Sequence, residues 1–446
     1  MSLVRTIVLV FSGILWGALP LAQGAALPLL PVPSNLERTE IYLLTVGLGP
    51  GIEARYGHTI IRVVDGDSGH DENLNWGVFS FDEPNFALNF FLGRLWYWAG
   101  SDSYSHILSH YQHYEERPLF SSKFNLSSTQ KHTFILAINA FLRRQGGKYP
   151  YQYFYNNCAT IPRDLLNQVL AGKLEEHFSK QAAGRTFRDY VYTNLNAPPI
   201  VAFILDITMN SRLDFEITRW QEMFSPLMLH QHLQHFPQVE SPGEISAGMP
   251  LLGESHKLNS FSDYPASTWH LYPWWLAGSI LLLWPALLER IFVPKRPQRG
   301  RRRWTAVVGQ KGLGVYLLLW GLFAGLLGTV MTVSWLFSEH LDLHHNANLW
   351  FLWPTDFIFA WAGWRLLFTS KFTSKKATNA NFTWQATICT AVLHVLTSAI
   401  TIALFLTETI QQDISRVLIF LVPGMILAFV LVMPWCWQRY IESTGQ

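Results

Sequence analysis

The chain has 446 residues, 49% of them hydrophobic and only 14% charged, with 33 Lys and Arg against 31 Asp and Glu. A soluble domain carries about 25% charged residues. The hydrophobic content excludes a disordered chain or a coiled coil, and the near-balanced charge excludes a nucleic-acid binder built on basic surface. Long apolar runs occur only after residue 270, with strand- and helix-sized patches before it. This is the composition of a membrane protein with a soluble half.

In chain order, Arg5 is followed by an apolar stretch from Thr6 to Leu21 and by Ala22-Gln23-Gly24, with small residues where a signal peptidase reads. Residues 1–25 are expected to be a secretory signal peptide. No Cys follows, so it is not a lipoprotein signal. An uncleaved anchor is the alternative, although the apolar part is shorter than the ~20 residues of a full span. An exported domain is expected over 26–235. Ile41 to Val46 alternates as a strand, and Gly49-Pro50-Gly51 is a turn. The run from Tyr56 to Val64 predicts a second strand with His58, Ile60, Arg62 and Val64 on one face. After a turn at Asp65 to Gly69, Asn75-Trp76-Gly77-Val78-Phe79 predicts the next strand. Ser127 to Arg144 predicts a helix capped by Ser127 or Ser128. The tyrosine-rich run Tyr149 to Tyr155 leads to Asn156-Asn157-Cys158-Ala159-Thr160 and then to the amphipathic Leu165 to Leu170. Residues 236–270, rich in Pro, Ser, Gly and His, are expected to be a tether.

Five spans are predicted at 272–293, 312–337, 349–369, 384–406 and 416–437, forming an all-α membrane domain over 271–437. The loop from Pro294 to Lys311 holds seven Lys and Arg and no acid; the third loop holds Lys371, Lys375 and Lys376. The second (Glu339, Asp342) and fourth (Glu408, Asp413) contain no Lys or Arg. By the positive-inside rule residues 26–270 lie in the periplasm of a bacterial inner membrane, and the tail at 438–446 is cytoplasmic.

Three cysteines occur, Cys158, Cys389 and Cys436, the last two inside predicted spans. Cys158 is therefore the only thiol of the exported domain. An exported structural cysteine normally has a partner. It is either an inert buried thiol or a nucleophile, and its place where a turn enters a helix favours the second. Unpaired N–H groups there favour a thiolate and hold an oxyanion. The base it needs is His58. His106, His110 and His113 share helical spacing, but no acidic ligand accompanies them, and no metal is expected.

Tyr56-Gly57-His58 with Ile61-Arg62-Val63, Asn75-Trp76-Gly77-Val78-Phe79, Tyr153-Phe154 with Asn157-Cys158-Ala159-Thr160, and Arg163-Asp164 resemble the Lnb-type family. The likeness continues through Arg212, Asp214, Ile217-Thr218, Trp220, Met223-Phe224 and Pro226, then His340, Asn346, Asn348-Leu349 and Pro354. The resemblance implies an α+β, circularly permuted papain-like (NlpC-type) exported domain followed by a membrane domain. It also implies an acyltransferase that moves a fatty acyl chain from phospholipid to Cys158 as a thioester, then to the α-amino group of a diacylglyceryl lipoprotein cysteine. No cofactor is implied, since a soft thiolate accepts an acyl group without metal. Nucleic acid is not an expected partner. One departure is Pro162, which biases Ile161 away from helical dihedrals and predicts a later helix start.

Asn75, on a neighbouring strand, is the first choice to orient His58, with Asp164 and Asp214 as alternatives. Asn157 is a further orienting residue. Tyr56 and Arg62 are candidates for a phosphate headgroup, although Arg62 equally suits a surface ion pair. In the membrane half, Asp356 is the costly intramembrane carboxylate and His340, His344 and His345 share an external loop. Two other functions fit the same residues: a Cys/His amidase or peptidase acting on cell-wall peptides, and a membrane-anchored binding module.

Overall fold

The computed structural model describes residues 28–50, 53–80, 84–194, 199–240, 244–264, 301–368, 378–415 and 417–419. They fall into two compact units, residues 28–194 with 215–264, and residues 199–214 with 301–419.

The first unit is built on β1 (Thr39–Val46), β2 (His58–Asp65), β3 (Asp71–Val78), β4 (Trp96–Asp102), β5 (Leu119–Phe124), β6 (Lys148–Pro150) and β7 (Leu252–Lys257). They form one antiparallel sheet in the order β7-β5-β1-β2-β3-β4-β6. Four helices cover it: α1 (Tyr104–His113), α2 (Ser128–Arg143), α3 (Thr160–Val169) and α4 (Pro226–His235). Strand side chains alternate between faces. Ile41, Leu43, Ile61, Val63, Leu74 and Trp76 face a core filled by Phe134 and Ile138 of α2, Leu166 of α3, and Leu229 and Leu233 of α4. Leu44, Val46 and Ile60 face the other way, against Ile107 and Tyr111 of α1. The unit is thus α+β, as the resemblance implied. The sequence of α2 carries its own start signal, because Ser127 and Gln130 close a reciprocal capping box.

Two expectations are corrected here. The segment at 236–270 is not a free tether. Leu251 and Leu252 are buried in the main core, and β7 hydrogen-bonds along β5 as the edge strand. Two further short strands, Pro237–Glu240 and Glu244–Pro250, precede it. Nor does Pro162 delay helix α3: the amide of Ile161 already bonds the carbonyl of Asn157 at 3.2 Å, so the first turn closes around Cys158.

The second unit contains α5 (Arg301–Phe337), α6 (Phe357–Phe368) and α7 (Thr378–Leu406). Lys311–Phe337 and Gln385–Leu406 are long and apolar enough to cross a membrane. Helices α5 and α6 meet backbone to backbone. A Cβ on Gly321 would stand 2.1 Å from the amide nitrogen of Ala360, and one on Gly363 2.4 Å from that of Leu318. Close approach through small residues is how helices gain packing where no hydrophobic drive separates them from lipid.

The expected span at 349–369 is also corrected. Its first eight residues, 349–356, are not α-helical, and α6 begins only at Phe357. Pro354 and side-chain-bonded turns occupy the preceding stretch: Asn346 accepts the amide of Asn348 at 2.9 Å, and Asp356 that of Trp353 at 2.9 Å. The basic loop expected to end at Lys311 is already helical from Arg301. The signal peptide, the span at 272–293, Cys436 and nearly all of the span at 416–437 lie outside the described residues.

The exported stretch 26–235 is interrupted. Residues 199–214 belong to the second unit, where the apolar helix Pro199–Thr208 stacks Phe203 on Phe323 at 6.4 Å between centroids. Side-chain amides satisfy carbonyls of its last turn and of the residue after it. Asn346 donates to Ile207 at 3.0 Å and Met209 at 3.1 Å, Asn348 to Ile207 at 2.9 Å, and Gln412 to Met209 at 3.1 Å. In return, Asn210 donates to the carbonyls of Leu341 and His344 at 2.8 and 2.6 Å. Buried carbonyls need such partners, above all near lipid.

Candidate active site

The reactive end of the sheet is where β1 finishes and β2 and β5 begin. Val46 pairs with His58 on one side and with Leu119 on the other. Gly57 makes the turn into β2 possible: its φ is +85°, and a Cβ there would lie 2.5 Å from the Val46 carbonyl oxygen. Only glycine takes both conditions without strain, so the residue before His58 fixes where the imidazole starts.

Cys158 is brought to the same end by a tight hairpin. Gln152 and Asn156 bridge through backbone bonds of 3.1 and 2.8 Å, and the Asn156 side chain donates to the carbonyl of Pro150 at 2.7 Å. Asn157 then locks the turn. Its Oδ1 accepts the amides of Ala159 and Thr160 at 2.8 and 2.9 Å, capping the first turn of α3. Its Nδ2 donates to the carbonyls of Tyr153 and Phe224 at 2.7 and 2.9 Å. The bond that would tie down the Cys158 carbonyl is missing, because Pro162 has no N–H.

Two backbone amides, those of Thr59 and of Cys158 itself, donate toward the Cys158 sulfur. Strand β2 is paired with β3 only from Ile60 onward, so the Thr59 amide lies outside that ladder. The sulfur thus sits one residue from His58 along the chain of contacts. Loss of hydration pushes the thiol up to about 11, the amides and Arg117 opposing it. Loss of hydration, helped by Arg117 and opposed by Glu115, pushes the His58 imidazole down to about 4. Burial thus opposes the thiolate that the helix start favours, and opposes the imidazolium as well. Desolvation outweighs the helix start.

Arg117 carries no sequence signal beyond its place before a strand. It is buried, and its Nε and Nη2 donate to the carbonyl of Gly47 at 3.0 and 2.8 Å. Its Nη1 meets Glu115 at 2.5 Å, and Glu115 also faces Nε2 of His110 at 2.8 Å. The guanidinium braces the β1–β2 connection that delivers His58.

The remaining candidates separate. Asn75 pairs across from Ile60, two positions along from His58 and on the same face, and is buried. Tyr56 donates to the carbonyl of Tyr190 at 3.3 Å, its ring 5.0 Å from that of Tyr153. Arg62 is engaged by Asp71 at 2.6 and 2.8 Å and lies 3.5 Å over the Tyr104 ring, so the ion pair claims it. It is four residues along β2, ~13 Å from His58. Asp164 is half exposed and pairs with Arg163 at 2.7 Å. Asp214 belongs to the second unit and accepts the amide of Asp413 at 3.1 Å. The helical histidines also have separate partners, His106 facing Asp102 at 2.5 Å and His110 facing Glu115. Asp356 is buried against His394, and His344 donates to the Ser338 carbonyl at 2.7 Å.

No curated protein and no solved structure matches the chain. Residues 33–215 match the family model described as the Lnb N-terminal periplasmic domain, a range that includes Gly57, His58, Asn75, Arg117, Asn157 and Cys158. Over this range the chain is similar to the N-terminal periplasmic domain of the Lnb-type family.

Proposed function

We propose that the protein is a membrane-bound acyltransferase that uses Cys158 as nucleophile and His58 as base. The observation that carries this reading is the thiol at the first turn of α3, with the amides of Thr59 and Cys158 on its sulfur and His58 next to Thr59. The imidazole takes the thiol proton as sulfur attacks the ester carbonyl, and the two amides hold the oxyanion. Collapse of the tetrahedral species expels the alcohol, which takes the proton from His58, and leaves a thioester. An amine then attacks the thioester and His58 shuttles a second proton, restoring the thiol. Asn75, on the same face, orients the imidazole. Phospholipid is the acyl donor and the α-amino group of a diacylglyceryl lipoprotein the acceptor, since apolar helices hold the chain where both substrates reside. The protein is a multi-pass inner-membrane protein in this reading, with the sheet unit in the periplasm.

Intact mass of the full chain after incubation with phospholipid tests it. A gain of one fatty acyl group, lost with neutral hydroxylamine and absent from Cys158→Ala, is expected. Expression in a host lacking its own N-acyltransferase should yield triacylated lipoproteins. Normal triacylation by Cys158→Ala would remove the nucleophile from the account. Release of peptides from cell wall without acyl gain would favour the hydrolase.

A further inference from the structure

The sheet ends at β6, and its last two strands carry features that the chemistry at Cys158 leaves unused. Tyr97 pairs with Tyr149, and both rings lie in the main core. By alternation Trp96, Trp98, Lys148 and Pro150 stand on the opposite face. Asn75 shares that face, because it pairs with Gly100, two positions from Trp98 along β4. Helix α1 covers the face over Leu44, Val46 and Ile60. At the β4–β6 end Trp96 is 41% exposed, and Lys148 and Pro150 are exposed beside it.

Positive charge gathers at the same end. Helix α2 closes on Arg143, and the turn Arg144–Gly147 runs directly into Lys148. All three bases are exposed, and none has a carboxylate partner among the described residues. From Arg117 to Arg163 the chain has no Asp or Glu, and it has none from Pro84 to Ser101, although Asp82 and Glu83 precede that stretch. Lys and Pro are ordinary guards of an edge strand. That accounts for Lys148 and Pro150, but not for an exposed Trp beside two more bases. Indole rings and basic side chains together suit a headgroup layer, the ring at the polar–apolar boundary and the cation on lipid phosphate.

We infer that this end of the sheet seats on the anionic surface of the bilayer that holds the chain's own apolar helices. The inference rests on the membrane reading of the protein and names the surface that serves it. The carbonyl of Pro150, at the end of β6, accepts the Asn156 side chain at 2.7 Å, so the hairpin that carries Cys158 is tied to the docking edge. Docking therefore sets the depth at which the thiol meets a lipid ester.

A dye at a single thiol tests it. In the full chain carrying Cys158→Ala, Cys389→Ser and Cys436→Ser, Trp96→Cys places the dye on the docking edge, and Glu254→Cys places it on β7 at the opposite edge. In vesicles of phosphatidylcholine mixed with phosphatidylglycerol, the dye at position 96 should be quenched by lipids spin-labelled near the headgroup and shielded from acrylamide. At position 254 it should stay open to acrylamide. Each base near an anionic surface is worth roughly fivefold. Arg143→Gln, Arg144→Gln and Lys148→Gln together should therefore shift docking by about 10²-fold, with the melting curve unchanged. Salt near 1 M, where the screening length is ~3 Å, should do the same. Equal lipid quenching at the two positions, or docking as strong in pure phosphatidylcholine, would overturn the inference. A chain washed off the vesicles by alkaline carbonate would remove the membrane reading and this surface with it. An embedded chain whose dye at position 96 stays open to acrylamide would remove the surface alone. Docking without acyl gain by the protein that keeps Cys158 would remove the transferase reading and leave the surface standing.

Discussion

Asn157→Ala should loosen the site more than any other single truncation of a side chain that never touches substrate. Four hydrogen bonds end on this amide, at 2.7, 2.8, 2.9 and 2.9 Å, in a side chain only 5% exposed. Losing the cap over Ala159 and Thr160 costs about 1 kcal/mol. Leaving the carbonyls of Tyr153 and Phe224 unpaired adds about 1–2 kcal/mol each. The sum is about 3–5 kcal/mol. For a domain of this size each kcal/mol moves the melting point by about 2–4 °C, so a fall of roughly 10 °C is expected. With Cys389 and Cys436 replaced by Ser, Cys158 is the only thiol, and a thiol-reactive dye then reports melting of the site alone. Asn157→Ser keeps an oxygen for the cap and loses both donors, so it should melt about 2–4 °C above the alanine protein. An alanine protein melting within 2 °C of the parent, or a serine protein as damaged as the alanine one, would refute the bond count.

Four other outcomes are expected. Gly57→Ala should cost about 2 kcal/mol or more from its left-handed φ and its contact with the Val46 carbonyl, and should abolish acylation; a normal melting curve would contradict the turn geometry. The rate of Cys158 alkylation should rise about tenfold per pH unit above neutrality, toward the thiol's value near 11; a plateau below pH 8 would mean a resting thiolate. His230, bonded to Thr45 at 2.8 Å, is held near 4 by burial. Its folded value lies below the unfolded one, so it contributes stability above about pH 6.5 that is lost as pH falls through 4, on the order of 3 kcal/mol. Denaturant titrations should show His230→Asn losing less than the parent over that interval, and equal losses would exclude the residue. Gly321→Val drives a side chain into the Ala360 backbone and should reduce the folded protein recovered in detergent; unchanged recovery would argue against the α5–α6 contact.

What the sequence shows and what it hides follow from the range of the interactions. Local signals read correctly: the helix start at Ser127 or Ser128, which proves to be Ser127, and the strand that begins at His58. Strand patterning placed Asn75 beside His58's strand before its register was known. Arg117 was not legible, because its worth lies in reaching the carbonyl of Gly47, 70 residues away. The effect of burial on the thiol and the imidazole was equally hidden, since the fold, and not the residue types, sets it. Edge strand β7 looked like a tether because its sequence, Leu-Gly-Glu-Ser-His-Lys, holds one apolar side chain; Leu251 and Leu252 are what it buries in the main core. Hydropathy counted the stretch at 349–369 as a span because Trp, Phe and Leu are as apolar in a broken turn as in a helix.

The excursion of residues 199–214 sets an order of assembly. Synthesis runs from the N-terminus, so this stretch emerges before Asn346, Asn348 and Gln412, the side chains that receive its carbonyls. The apolar Pro199–Thr208 helix lacks its contact until Phe323 has been made, and lacks its polar partners until Asn346, Asn348 and Gln412 follow. The exported unit therefore waits for the membrane half before its own loop is satisfied, and a holdase would find its target in that interval. For the same reason a fragment cut at residue 264 would carry this helix without its partners. Replacing 199–214 by a short polar linker would be the way to obtain the sheet unit alone in solution.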